Sequence, residues 1–186
     1  MPIAIRPLTP NEYIDTVHIY LECMRADYTF FPREYLDSLR IESELAEFES
    51  WINEDGVQAM VFGAFQDDRM TGYIAVSSNS GEPAGYDGEV NNLFVRPGCR
   101  NQGIGLALLR AGLEHLRGLG HQSVIIYNYH PSQSNAYYRH LGGEVVYRTV
   151  QCPGGQETQV DVFAWEIDKF QAILHERMEK YPALRV

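Results

Sequence analysis

The sequence predicts an α/β fold, a mixed sheet flanked by helices, and three stretches carry that expectation. Residues 88–120 run from a strand pattern through a glycine-bearing turn into an apolar three-four helical pattern. The short apolar run 123–128 follows, so strand, helix and strand make one parallel crossover. Upstream, runs 57–66 and 70–78 are joined by Asp67-Asp68-Arg69 and read as an antiparallel hairpin.

The remaining elements fall on either side. Ile3-Ala4-Ile5-Arg6 is a short first strand. Thr9-Pro10-Asn11-Glu12 is a helix start: Thr9 caps, Pro10 takes the first helical position and Glu12 closes a capping box. Ile14, Val17, Leu21 and Met24 give that helix an apolar face. A second helical region follows, with Leu45, Phe48 and Ile52 as its buried stripe and Glu42, Glu44, Glu47, Glu49 and Glu54 toward solvent. Residues 79–85 lack periodicity and form a loop before the central strand. In the long helix Ile104, Leu108, Leu109, Ala111, Leu113 and Leu116 face the core, while Arg110, Glu114 and Arg117 form a solvated face laced by local ion pairs. Residues 134–143 are a short helix stopped at Gly142, and strands 144–150 and 160–167 flank the Pro153-Gly154-Gly155 turn. Residues 169–181 form a helical tail whose Phe170, Ile173 and Leu174 can pack on the domain or on a second subunit, which leaves a homodimer open.

Composition excludes several functions. With 186 residues the chain can bury most of its apolar surface as one domain. A net charge of −10 and a pI near 5.0 leave no basic footprint for nucleic acid and suit a cationic substrate. No apolar run reaches membrane-spanning length and no signal-peptide pattern opens the chain, so a cytoplasmic protein without membrane contact is expected. Cys23, Cys99 and Cys152 read as separate reduced thiols, and neither they nor the six histidines show metal-ligand spacing, so no metal is expected.

The chemistry lies in the turn between the central strand and the long helix. The first N–H groups of a helix have no partner within it and carry the positive end of its dipole. Gly103 and Gly105 leave those groups bare, Asn101 tolerates left-handed dihedrals and Arg100 adds a cation, so the turn suits a phosphate. A nucleotide P-loop is absent, and the dinucleotide fingerprint lacks its third glycine at Leu108. What stands here, Leu93-Phe94-Val95-x-Pro97 followed by Arg100-x-x-Gly103-x-Gly105, resembles the pyrophosphate loop of the GNAT superfamily of acyl-CoA-dependent N-acetyltransferases; Asn101 occupies a position where glycine is frequent.

The resemblance implies a three-layer α+β fold: a mostly antiparallel central sheet flanked by helices, with a C-terminal helical extension. As one domain it would comprise an N-terminal strand and acceptor-side helices (1–56), the hairpin, cofactor strand, loop and helix (57–120), a C-terminal half (121–167) and the tail (168–186). It implies acetyl-CoA as cosubstrate, its diphosphate on Arg100, Asn101, Gln102, Gly103, Ile104 and Gly105, and its pantetheine paired with the main chain of Phe94 and Val95. Tyr28, Phe30, Phe31 and Trp51 become candidate acceptor walls. The acceptor would be an amine of a small molecule or peptide, and an ammonium with a pKa near 10.4 lies roughly 4 kcal/mol from its nucleophilic form at neutral pH. By resemblance Glu89 takes that proton as general base. Tyr138, in the family's Tyr-x-x-x-Gly motif, returns one to the departing thiolate. The asparagine frequent seven residues before this tyrosine is Pro131 here, leaving Asn128 and Asn135 as candidate cofactor ligands. A second reading keeps the fold but not the turnover: an acyl-CoA-binding sensor or interaction module.

Overall fold

The computed structural model describes residues 3–79 and 81–181; Ser80 of the predicted loop and the last five residues of the predicted tail lie outside them. Seven strands appear in chain order: β1 (Ala4–Pro7), β2 (Met60–Gln66), β3 (Arg69–Ser78), β4 (Gly88–Val95), β5 (Ser123–Tyr129), β6 (Glu144–Gln151) and β7 (Thr158–Glu166). Six α-helices accompany them: α1 (Tyr13–Asp27), α2 (Arg33–Ser38), α3 (Ile41–Ile52), α4 (Ile104–Gly118), α5 (Ser134–His140) and α6 (Ile167–Met178). The strands form one sheet in the order β1-β2-β3-β4-β5-β7-β6. Only β4 and β5 run parallel, across the α4 crossover, so the sheet is the mixed, mostly antiparallel one expected.

The layers follow from which faces are apolar. α4 buries Ile104, Leu108, Leu109, Leu113 and Leu116 on one side of the sheet. Each such side chain contributes about 1.5–3 kcal/mol through burial. Gly112 lets this helix lie close to β3, since a Cβ there would stand 2.9 Å from both Ile74 and Val76. α6 packs beside α4 and sends Phe170, Leu174 and Met178 into the same core, with Phe170 stacked on Trp165 at 4.5 Å. The tail therefore covers its own domain. On the opposite face α1 packs Ile19 and Cys23 with Tyr73 of β3, and turns Val17, Leu21 and Met24 toward Phe31 and α2.

Two local expectations change. Ile14 is 41% exposed, while Tyr13 beside it takes the packed position against Phe48. The second helical region is two helices, broken where Leu39 and Arg40 take extended dihedrals; the Arg40 guanidinium donates to the Asp37 and Leu39 carbonyls and holds the corner. The capping signal at Thr9 is present on a 3₁₀ turn ahead of α1, where the Thr9 N–H donates to the Glu12 carboxylate at 2.9 Å.

Candidate active site

The turn into α4 has the shape its residues dictate. Pro97–Cys99 make a 3₁₀ turn, and Asn101 and Gly103 both adopt left-handed dihedrals, with φ of 60° and 80°. α4 then begins at Ile104 without a side-chain cap, so its leading amides face outward bare. Gly105 leaves room beside the Tyr137 hydroxyl, which a Cβ there would approach to 3.4 Å. Arg100, Asn101, Gly103, Ile104 and Gly105 border a cavity of about 570 Å³ whose other walls include Phe94, Val95, Asn128, Tyr137 and Tyr138.

Two members of the turn do something the sequence does not reveal. The Arg100 guanidinium makes a two-pronged pair with Asp27 at the end of α1, at 2.8 and 2.6 Å, and its Nε donates to the Val95 carbonyl at 3.1 Å. Its charge is thus engaged by α1, and the open face of the turn consists mainly of main-chain amides. Gln102 accepts from Gln66 at 3.2 Å and does not line the cavity.

The central strand opens a cleft. β4 pairs with β5 only at Gly88, Glu89 and Val90, opposite Val124, Ile125 and Ile126. On the other side the β3 register jumps from Val90 to Asn92, leaving Asn91 as a bulge that bends the strand. Beyond Val90 the two parallel strands diverge, and the free edge of β4 runs along the gap. A second cavity of about 660 Å³ lies under it, lined by Glu89, Asn91 and Asn92. The two cavities share Tyr28, Leu93, Phe94, Asn128 and Tyr138, so they meet at one point in the sheet.

Glu89 reaches this second cavity from the paired end of β4. Burial pushes its carboxyl above the usual carboxylate range, against the opposing effect of a hydrogen bond from Asn91. Asn91 is itself oriented by Ser77, whose hydroxyl donates to its Oδ1 at 2.9 Å. Tyr138 is 6% exposed on α5, its ring held by Phe163 and Trp165 at 5.6 and 6.2 Å. Burial, with the neighbouring Tyr137, pushes its phenol upward, so it stays protonated at neutral pH. It borders both cavities.

The other predicted residues separate. Tyr28 lines both cavities, whereas Phe30 and Phe31 stand behind it, packed on Tyr129 at 6.3 and 4.8 Å, and line neither. Asn128 borders both and donates to Ser134 and Asn135 at 2.9 and 2.7 Å. Asn135 is occupied structurally: its amide donates to the Tyr129 and His130 carbonyls at 3.0 and 2.9 Å, fixing the turn between β5 and α5 away from the cavities. Sequence reading missed Asn91, Tyr20, Tyr35 and Tyr129 around the second cavity, and Tyr137 and Tyr181 around the first. Only Asn91 left a signal: Asn91-Asn92 interrupts the strand's polar-apolar alternation, as a bulge does. Among the described residues no three His, Cys, Asp or Glu side chains group closely enough to hold a metal ion.

Comparison with known proteins gives a family and a fold. The sequence model of the acetyltransferase (GNAT) family matches residues 17–142. The chain is 23% identical over 145 residues to the uncharacterized N-acetyltransferase YuaI of Bacillus subtilis, covering 77% of this chain and 82% of that protein. It is 33% identical over 115 residues to the mycothiol acetyltransferase of Saccharomonospora viridis, covering 59% of this chain but 37% of that longer protein. Its fold is similar to the PaiA N-acetyltransferase of Thermoplasma acidophilum, solved in complex with coenzyme A, with a TM-score of 0.62, 20% identity and coverage of 87% and 98% of the two chains.

Proposed function

Because the chain belongs to the acetyltransferase (GNAT) family, we propose that it moves an acetyl group from acetyl-CoA directly to a primary amine of a small molecule or peptide. One observation carries this reading: a cavity of about 570 Å³ at a bare helix start adjoins a second cavity in a strand gap, between a carboxylate with a raised pKa and a buried phenol.

Acetyl-CoA supplies the thioester carbonyl. The amides at the start of α4 and the Arg100–Gly105 turn hold its diphosphate. The free edge of β4 at Phe94 and Val95 pairs with pantetheine as an added strand, which aims the thioester at the junction of the two cavities. Glu89 accepts the proton of the incoming ammonium, directly or through water, and its raised pKa matches it better to that exchange. A β4 amide meets the charge that develops on the carbonyl oxygen as the C–N bond forms. Tyr138 then gives its proton to the sulfur as the C–S bond breaks, and the second proton shed by the nitrogen as it becomes an amide returns the phenolate to phenol, directly or through water. Asn135 enters as the strut that fixes Asn128, and Phe30 and Phe31 as the backing of Tyr28.

The test is thiol release from acetyl-CoA across a panel of amines. Release that depends on both the amine and Glu89 supports the reading. Coenzyme A binding without release on any amine contradicts it and favours a sensor.

A further inference from the structure

The acceptor's chemistry can be narrowed from the charges around it, an inference that rests on the acetyltransferase reading. Among the described residues, those bordering the cavity that holds Glu89 include two further carboxylates, Glu54 and Glu82, and no lysine, arginine or histidine. A third cavity of about 300 Å³ adjoins it, sharing Tyr20, Trp51, Asn91 and Asn92 as lining. That extension adds Glu44 and Glu47 and, among the described residues, again no cation. Among the described residues none of these five carboxylates forms an ion pair.

Such a channel selects by charge. A free amino acid brings a carboxylate that would meet acids and no cation, an arrangement that repels it. A neutral monoamine uses only the Glu89 end. A ligand with ammonium groups spaced along a flexible apolar stem meets a carboxylate at each stage, and its stem and charges lie against Tyr20 and Trp51, whose ring faces attract cations. Burial, and then the neighbouring Glu47, raise the Glu44 carboxyl, as expected of a partly dry acid lacking a counter-charge. A basic peptide is the competing ligand, because Ser77, Ser78, Asn79, Asn91 and Asn92 could bond its main chain, but it presents its charges singly rather than along one stem. We propose that the acceptor is a linear aliphatic polyamine, one amine beside Glu89 and the others along the Glu54–Glu82 rim or the Glu44–Glu47 extension.

The experiment compares thiol release from acetyl-CoA with spermidine, putrescine, n-butylamine, free lysine and a lysine-bearing peptide, at low and high salt. Expected is a kcat/KM for spermidine at least about tenfold above n-butylamine and lysine at low salt, with the margin shrinking as salt screens the charges. In the double variant Glu44→Gln/Glu47→Gln the KM for spermidine should rise about three- to tenfold with kcat kept within about twofold, a split that general loss of structure would not give. Equal rates for n-butylamine and spermidine, a better rate with lysine or the peptide, or an unmoved KM in both Glu44→Gln/Glu47→Gln and a Glu54→Gln/Glu82→Gln variant overturns the proposal and leaves an acetyltransferase. No release with any amine overturns both readings.

Discussion

A carboxylate serves as a base for an ammonium only when ionised, and it serves better the closer its pKa comes to working pH. Glu89 meets the second condition through burial, and the sign of the consequence is fixed. Its activity is lost as pH falls through the raised folded value, so kcat/KM should show an acid limb above the ordinary carboxylate range. The linked stability effect runs the other way: a raised folded pKa favours the folded state at pH below the unfolded value and loses that contribution as pH rises. Glu89→Gln should therefore cost about a hundred- to ten-thousandfold in turnover and abolish the acid limb, while Tm at neutral pH stays equal or rises. A pH profile and a melting curve of the same variant check both. Tyr138→Phe should lower turnover about ten- to a thousandfold with coenzyme A affinity kept, because the ring packing on Phe163 and Trp165 survives and only the proton is lost. The family resemblance pointed to both residues in the sequence, and both border the cavity under β4. Asn91's role was not legible there, because it depends on Ser77 from the neighbouring strand. Nor was the engagement of Arg100, whose partner Asp27 lies 73 positions earlier.

Among the elements, β4 and β5 part beyond Val90, and β5 is paired along its length with β7 in the far half of the sheet. Asp161 of β7 sits fully buried opposite Asn128 of β5 and Arg148 of β6. It accepts from His130 Nδ1 at 2.8 Å and Arg148 Nε at 2.9 Å, with Arg139 of α5 at 3.6 Å. Burial alone would raise this carboxyl; the hydrogen bonds from His130 and Arg148 overcome it and hold it below the usual range. Its contribution is thus present above the unfolded carboxylate pKa and is lost as pH falls through the depressed folded value. Asp161→Asn leaves two arginines without their counter-charge; since these are half-exposed, about 2–3 kcal/mol is expected rather than the full cost of a buried pair. Melting curves at neutral pH should then fall by about 5–10 °C, and the gap to the parent protein should narrow below pH ~4. Strand, turn and helix around the site could be read from the chain because periodicity and glycine placement are local signals. The three-residue limit of β4–β5 pairing could not, because pairing between strands separated by a whole helix leaves no local signal.

Across the whole molecule, one cavity lies at the start of α4 and the other is bordered by Tyr20 of α1 and Trp51 of α3, and the two share Tyr28, Leu93, Phe94, Asn128 and Tyr138. The sequence made the mixed sheet and its flanking helices legible, since each layer has its own apolar stripe. It left open where the tail would pack; α6 answers by burying Phe170, Leu174 and Met178 in the core shared with α4. Just beyond it, Tyr181 borders the cofactor cavity beside Tyr137, a placement no local pattern signals. Among the described residues no helix is long and apolar enough to cross a membrane. The net charge of −10 gives the surface a field that attracts cations, consistent with an amine acceptor. Everything in the functional account depends on the cosubstrate entering between the α4 amides and the β4 edge. A crystal structure with acetyl-CoA tests that most directly. The account predicts the diphosphate on the amides from Arg100 to Gly105 and the thioester sulfur within hydrogen-bonding reach of the Tyr138 hydroxyl. A diphosphate bound elsewhere, or a thioester pointing away from Tyr138, would contradict it.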